Sequence, residues 1–376
     1  MNQKELNELR RRFRPDKSAI SRLYGCYVNT SREIVSYLDE SLGVMGQQEQ
    51  EKYLGLLKKA LSGSLGKNLI DIVFSTKQVT DGEEHRLLMA LRDCELKDAS
   101  LRETFYRRVI DSLDLGDSNY LILLACDKYD VPRRGGDGER DRDNSEEVYT
   151  YLVSAICPVK DGKAELSYFP GDNEFHSQLT GQVVGKPELG FLFPAFDDRR
   201  ANIYNALYYS RNPDAIHQEF IDGVFHAEPP MSAAEQRETF RTVLTEALGE
   251  GCSLDVIQVV YDRFRSLLAE HKENKNPEVL TVSPESVAQV LGECQVEEEK
   301  VNTFLALCGE RFGENVPLQP GNLIDEGKFT ISTETVSVAL DAEQSYLAEA
   351  RVIDGKKCLL IPMGDQAEVN GFQVRL

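Results

Sequence analysis

The sequence predicts an α+β protein: a mixed or antiparallel sheet region with flanking helices, then a helical region, then a C-terminal β-containing domain. Three observations carry this. Short β-rich runs gather in the middle of the chain without the regular strand and helix alternation of a doubly wound fold. The segment HAEPPMS at 226–232 breaks periodic structure, because its two prolines restrict their own dihedrals and those of the preceding residues. Beyond it, helical periodicity gives way to paired β runs. The expected domains are 1–228, mixed α+β with a polar loop near 133–147, and 229–376, a helical region followed by a β-hairpin domain.

In chain order, residues 4–12 read as a short helix, 20–28 as a strand, and Asn29 and Thr30 as a turn into a second strand at 33–38. A helix at 47–61 precedes the Gly-containing turn at 62–66, and 68–74 is an apolar run suited to a strand. Helices follow at 83–93 and 99–113. In the second, Leu101, Phe105, Val109 and Leu113 recur every fourth residue, and Tyr106 and Ile110 widen the stripe. Residues 120–129 and 148–159 are β-rich. The intervening RRGGDGERDRDNSEE at 133–147 has little apolar surface to offset the entropy of ordering, so an exposed loop is expected. Residues 164–169 and 189–193 add strands, and 203–209 fits a strand or the start of a helix.

Past the proline boundary, Phe240, Val243, Leu244, Ala247 and Leu248 mark one helical face, and Ile257, Val260, Tyr261, Phe264, Leu267 and Leu268 another. Ser283, Pro284 and Glu285 form a helix start, with a capping hydroxyl, a proline in the first turn and acidic charge at the positive helix end. Val287, Val290, Leu291 and Cys294 continue its stripe. β runs at 328–339, 348–353 and 356–361 follow. Asp354-Gly355 and Asn370-Gly371 have the chemistry of tight hairpin turns.

A chain of 376 residues with 41% hydrophobic content can bury a sizeable core, and its length favours two or three domains. Its formal net charge of -20 disfavours broad attraction to phosphate backbones or anionic lipid. The stretch 1–27 departs from this, with seven basic residues (Lys4, Arg10, Arg11, Arg12, Arg14, Lys17, Arg22) against Glu5, Glu8 and Asp16. It reads either as the solvated face of an amphipathic helix or as a nucleic-acid contact. Residues 1–15 are too polar for a secretory core, and no later run reaches the length of a membrane helix, so no membrane and a cytoplasmic location are expected. The eight cysteines are dispersed without a CxxC pair, as befits buried thiols in a reducing compartment.

No complete catalytic or cofactor signature is present. In Ser62-Gly63-Ser64-Leu65-Gly66-Lys67, the first glycine of a phosphate loop would fall at Leu61, and Asn68 replaces the magnesium-binding hydroxyl, so a structural turn is expected. Gly135, Gly136 and Gly138 lack the strand and helix of a dinucleotide site. The strongest chemical candidate joins Asp172, Glu174 and His176 with Asp197, Asp198, Arg199 and Arg200. Carboxylates and imidazole can hold a divalent metal or activate water, and arginine can orient an anionic substrate. A solvated loop is the plainer alternative. Asp197 and Asp198 are adjacent, so on a regular strand they face opposite sides. His217 with Glu219, and His226 with Glu228, are spaced two apart and are not expected to share a helical face. Tyr204 and Tyr208 fall on one face of a strand and Tyr209 on the other, where core packing competes with a ligand-binding patch.

The stretches ELRRRFRPDKSAISRLYGCYVN, SGSLGKNLIDIVFST, NYLILLACDKYDVP and LGFLFPAFDDRRANIYNALYYS, with IPMGDQAEVNGF near the end, resemble the DUF4317 family over nearly the whole chain. The resemblance implies a shared fold and a bacterial intracellular setting. It supplies no activity, substrate or catalytic residue to carry onto Asp198, His176 or Lys67. The expected role is a binding or scaffolding component, through a protein partner or self-association. A metal-assisted hydrolase acting on a small molecule and a nucleic-acid-binding protein are the alternatives.

Overall fold

In the computed structural model, residues 1–134, 140–162, 164–179, 181–313, 316–362, 367–369 and 372–374 are described. The chain divides into two units, Met1–Ser232 and Ala233–Leu376.

The first unit begins with α1 (Gln3–Arg10), started by a capping box. Asn2 Oδ1 accepts from the Lys4 and Glu5 N–H groups, and the Glu5 carboxylate accepts from the Asn2 N–H. There follow β1 (Arg22–Val28), β2 (Ile34–Ser41), α2 (Gln47–Lys59), β3 (Leu69–Val73), α3 (Thr76–Asp81), α4 (Glu83–Asp93) and α5 (Ala99–Ser112). The long strands β4 (Asn119–Arg134) and β5 (Arg140–Lys160) come next, then the hairpin β6 (Ala164–Phe169) and β7 (Glu174–Leu179), and the short β8 (Val183–Val184). The unit closes with β9 (Leu189–Phe193), β10 (Ala195–Asp197), β11 (Arg200–Asn202), β12 (Asn205–Ser210) and α6 (Gln218–Phe225).

The main sheet has the order β2-β1-β4-β5-β9-β12-β3, with β8 added beside β5, and every pairing is antiparallel. Its central strands are apolar on both sides. Ile122, Leu124, Leu152, Ile156 and Phe191 point into one core with Phe105 and Val109 of α5 and Phe220 and Val224 of α6. Leu121, Leu123, Val153, Ala155 and Leu192 point into the other with Leu6 and Leu9 of α1 and Leu54 and Leu57 of α2. Side-chain alternation along a strand thus makes one apolar run serve two cores. Gly190 lets α2 approach: a Cβ there would lie 2.4 Å from Ser154 O and 2.8 Å from Ala60 Cβ.

One expectation in this unit is corrected. The polar stretch 133–147 is not a loop throughout, because β4 and β5 continue into it as far as the Arg134 and Arg140 pair, with register shifts around Pro132. Backbone pairing propagated from buried strands does not require apolar side chains further out. The glycines at 135, 136 and 138 lie outside the described residues. Of the three tyrosines, Tyr208 and Tyr209 pack into opposite cores, as their opposite faces on a strand require, while Tyr204 precedes β12 and is exposed. The ambiguous run at 203–209 yields the strand β12.

In the second unit, α7 (Ala233–Leu248), α8 (Leu254–Glu273), α9 (Pro284–Glu293), α10 (Glu298–Phe312) and the short α11 (Pro320–Leu323) precede three two-stranded hairpins. These are β13 (Lys328–Ser332) with β14 (Ser337–Asp341), β15 (Glu349–Ile353) with β16 (Lys356–Leu360), and β17 (Ala367–Val369) with β18 (Phe372–Val374). Phe240, Val243, Val260, Phe264, Leu291 and Phe304 form the helical core. The Ser283 side chain caps α9 by accepting from the Ser286 N–H, with Pro284 in the first turn. Residues 328–339 hold two strands instead of one run, because Thr333 Oγ1 accepts from the Val336 N–H and turns the chain. Asp354 and Gly355 both have positive φ, as a type I′ turn requires. The turn expected at Asn370-Gly371 lies outside the described residues. Among those residues, no helix is long and apolar enough to cross a membrane.

All eight cysteines are free, and Cys26, Cys157 and Cys308 are buried. Burial pushes each of these three thiols up to about 12. N-ethylmaleimide at neutral pH is therefore expected to leave these three unmodified in the folded protein and to label them in urea. Peptide mass spectrometry would contradict the buried assignment if they label in the folded protein as fast as Cys358.

Candidate functional site

The polar residues singled out in the sequence fall into two places. The first lies where α1 meets the sheet. Asp127 of β4 is 1% exposed, and its carboxylate accepts from Arg12 Nε (2.8 Å), Arg12 Nη2 (3.1 Å), the Ala19 N–H (3.1 Å) and the Tyr151 hydroxyl (2.6 Å). Arg12 also donates to Lys128 O and lies over the Tyr129 ring, whose hydroxyl donates to Glu8. A buried carboxylate with four donors is a satisfied anchor.

Arg199 belongs to the same seam. Asp198 and Arg199 form the turn between β10 and β11, both at positive φ. That backbone favours Asn, Asp and Gly, so Asp198 suits it, whereas Arg199 is held there against its preference. Arg199 has compensating bonds: its N–H donates to Glu5 Oε1 (3.1 Å), Nη1 to Glu8 Oε2 (2.7 Å) and Nη2 to Pro132 O (3.0 Å). Asp197 ends β10 and accepts from Asn202 Nδ2, and Arg200 reaches Glu147 at 3.7 Å in an exposed pair.

The basic N-terminal stretch is partly consumed in this way. Arg12 is bound to Asp127, Arg22 to Asp39, and Arg10 donates to Leu61 O and Gly63 O. The loop at 62–67 is correspondingly structural. Its Gly63 carbonyl is taken by Arg10, and Asn68 donates to Ser210 O and Arg211 O.

The second place is the β6 and β7 hairpin, an arm that pairs with no other strand among the described residues. His176 Nε2 lies 2.7 Å from Asp172 Oδ2 and 3.8 Å from Glu174 Oε2, and its ring packs on Phe169. The pair is half exposed, so its interaction is weakened by water. Among the described residues no hydrogen bond or ion pair links this group to Asp197, Asp198, Arg199 or Arg200. Among them, too, no three His, Cys, Asp or Glu side chains gather as metal ligands.

The opposite face of the arm is apolar and uncovered: Leu166 is 72% exposed, Phe175 64% and Tyr168 48%, with Tyr168 and Phe175 cross-strand partners whose rings lie 5.2 Å apart. Attention to charged residues alone passes over this face. Its signal is Leu166 and Tyr168 alternating before, and Phe175 following, the turn Pro170-Gly171-Asp172-Asn173.

The remaining histidines are local. His217 reaches Glu219 at 3.3 Å, contrary to the expectation for residues two apart, because His217 is a left-handed N-cap outside the helix. His226 caps the other end, with Nδ1 3.7 Å from Asp222 Oδ1. His85 is buried, with Nε2 2.8 Å from Ile203 O and its ring edge-on to Phe74 and Phe193.

A family model described as a domain of unknown function, DUF4317, matches residues 1–372. No curated protein matches the chain.

The geometry ranks three alanine variants by urea unfolding. Asp127→Ala is expected to cost about 3–5 kcal/mol, because it strands the Arg12 charge. Arg199→Ala is expected to cost about 2 kcal/mol and Arg200→Ala less than about 0.5 kcal/mol. An Arg200 loss equal to that of Arg199 would refute the assignment of Arg199 as the internal clamp.

Proposed function

The chain belongs to the DUF4317 family, and within that family we propose that it is a cytoplasmic binding component whose β6 and β7 arm docks an extended, basic segment of a partner protein. The observation that carries this reading is the uncovered row of Leu166, Tyr168 and Phe175 on one face of a two-stranded hairpin. Two strands alone are marginal in water, and a third strand laid along an open edge supplies both backbone bonds and apolar cover.

Charge selects the kind of strand. Asp172 and Glu174 sit at the turn end of the arm, and the whole chain carries -20. A partner segment alternating apolar and basic residues meets the apolar row with one face and the carboxylates with the other. A second copy of this chain brings the same negative charge and is disfavoured. The free thiols are in keeping with a reducing compartment.

A fluorescent peptide of four Lys-Val repeats is the probe, with four Glu-Val repeats as its control. The account expects the lysine peptide to bind with Kd below about 100 μM, and to weaken as salt rises from about 0.05 to 0.5 M. Leu166→Asp combined with Phe175→Asp should weaken it at least about tenfold with unfolding unchanged. Equal binding of the two peptides, no binding of either, or an indifferent double variant would each sink the proposal.

A further inference from the structure

His176 stands in the β6 and β7 arm beside both carboxylates that a basic partner segment would meet. Side chains alternate between the two faces of the arm. Leu166, Tyr168 and Phe175 take one face, and the pairs Phe169 with Glu174 and Ser167 with His176 put those four residues on the other. Glu174 and His176, two apart on β7, are neighbours there, and Asp172 joins them from the turn.

The turn holds Asp172 in place. Its Oδ1 accepts from the Glu174 N–H at 3.2 Å, and its Oδ2 lies 2.7 Å from His176 Nε2. Next to it, Asn173 stands at φ 60, a left-handed position that asparagine tolerates, and its Oδ1 accepts from the Tyr168 hydroxyl. The imidazole packs on the Phe169 ring, with centroids 5.4 Å apart. Among the described residues the charged groups facing the imidazole are Asp172 and Glu174, 2.7 and 3.8 Å from Nε2, and no Lys or Arg is paired with either carboxylate.

A ring in this position changes the charge of the docking surface without moving. Histidine is the side chain that ordinarily gains or loses its charge between about pH 5 and 8, whereas Asp, Glu and Lys keep theirs across that range. The neutral ring, donating from Nε2 to Asp172, leaves two negative charges for a partner's lysines. A second proton, on Nδ1, preserves that bond and makes the ring a cation, which cancels one of the two and repels an arriving lysine. Binding of a basic segment and protonation of the ring oppose each other, so affinity falls as pH falls. Both members of the pair are open to water, which holds the effect to a factor of a few. We infer, taking the docking role proposed for the arm as given, that His176 is a pH-sensitive switch on that surface, favouring a basic partner segment at neutral pH and disfavouring it under mild acid.

The test is the Kd of the N-acetylated peptide of four Lys-Val repeats for the full chain in low salt, measured at about pH 7.5 and about pH 5.5. Kd is expected to rise about fivefold at the lower pH. His176→Gln, neutral at both, should bind throughout as the original does at about pH 7.5, and His176→Lys, charged at both, should bind weakly throughout. Opposite and pH-independent effects of the two variants are a signature that a merely structural histidine would not give. A change under about twofold in the original chain, or the original's pH dependence persisting in His176→Gln, overturns the switch while the docking role stands. No binding of the peptide at about pH 7.5 overturns both.

Discussion

Burial of the central strands on both faces is the constraint from which the first unit follows. Along β4, Ile122 and Leu124 enter one core while Leu121 and Leu123 enter the other, and β5 and β9 repeat the division with Ile156 against Ala155 and Phe191 against Leu192. A sheet with two apolar faces needs helices on both. The second layer closes over β4 where the pattern turns polar, at Asp127. Burying that carboxylate costs several kcal/mol unless donors replace its water. Arg12, Ala19 and Tyr151 do so, and the chain after α1 is thereby pinned across the sheet.

The arginines of the seam are structural. Arg12 and Arg199, which resemble anion contacts in the sequence, are turned inward and held by carboxylates of the same chain. A guanidinium committed in that way has little left for a phosphate. The groups left open to solvent on the arm are of another kind, the apolar side chains of Leu166, Tyr168 and Phe175. The arm offers an apolar surface and open strand edges.

Much of the architecture was legible in the sequence because it rests on local rules. The four-residue stripe of α5, the Ser283 cap, the Asp354-Gly355 turn and the apolar runs of β4 and β9 each need only neighbouring residues to be understood. The α+β class followed from those elements, while the choice between a mixed and an antiparallel sheet was left open by them. What sequence reasoning missed depends on distance along the chain. Arg199 and Glu8 are 191 residues apart, and Arg12 and Asp127 are 115 apart, so no spacing rule joins them. The polar reach of β4 and β5 was hidden for a related reason, since pairing begun in a buried region is inherited by residues that would not start it. His217 and Glu219 met because the chain leaves the helix at the cap, a backbone detail that helical periodicity assumes away.

The doubly covered sheet is accompanied by an arm whose apolar face nothing among the described residues covers. Hydrogen exchange followed by mass spectrometry on the isolated protein tests it most directly, because exchange reports the stability of each backbone segment. The slowest exchange is expected in β4, β5 and β9 around residues 121–125, 152–156 and 189–193, with exchange in the arm at 166–177 faster by orders of magnitude. An arm as protected as those strands in the isolated chain would contradict the claim, since its apolar face would then already be covered.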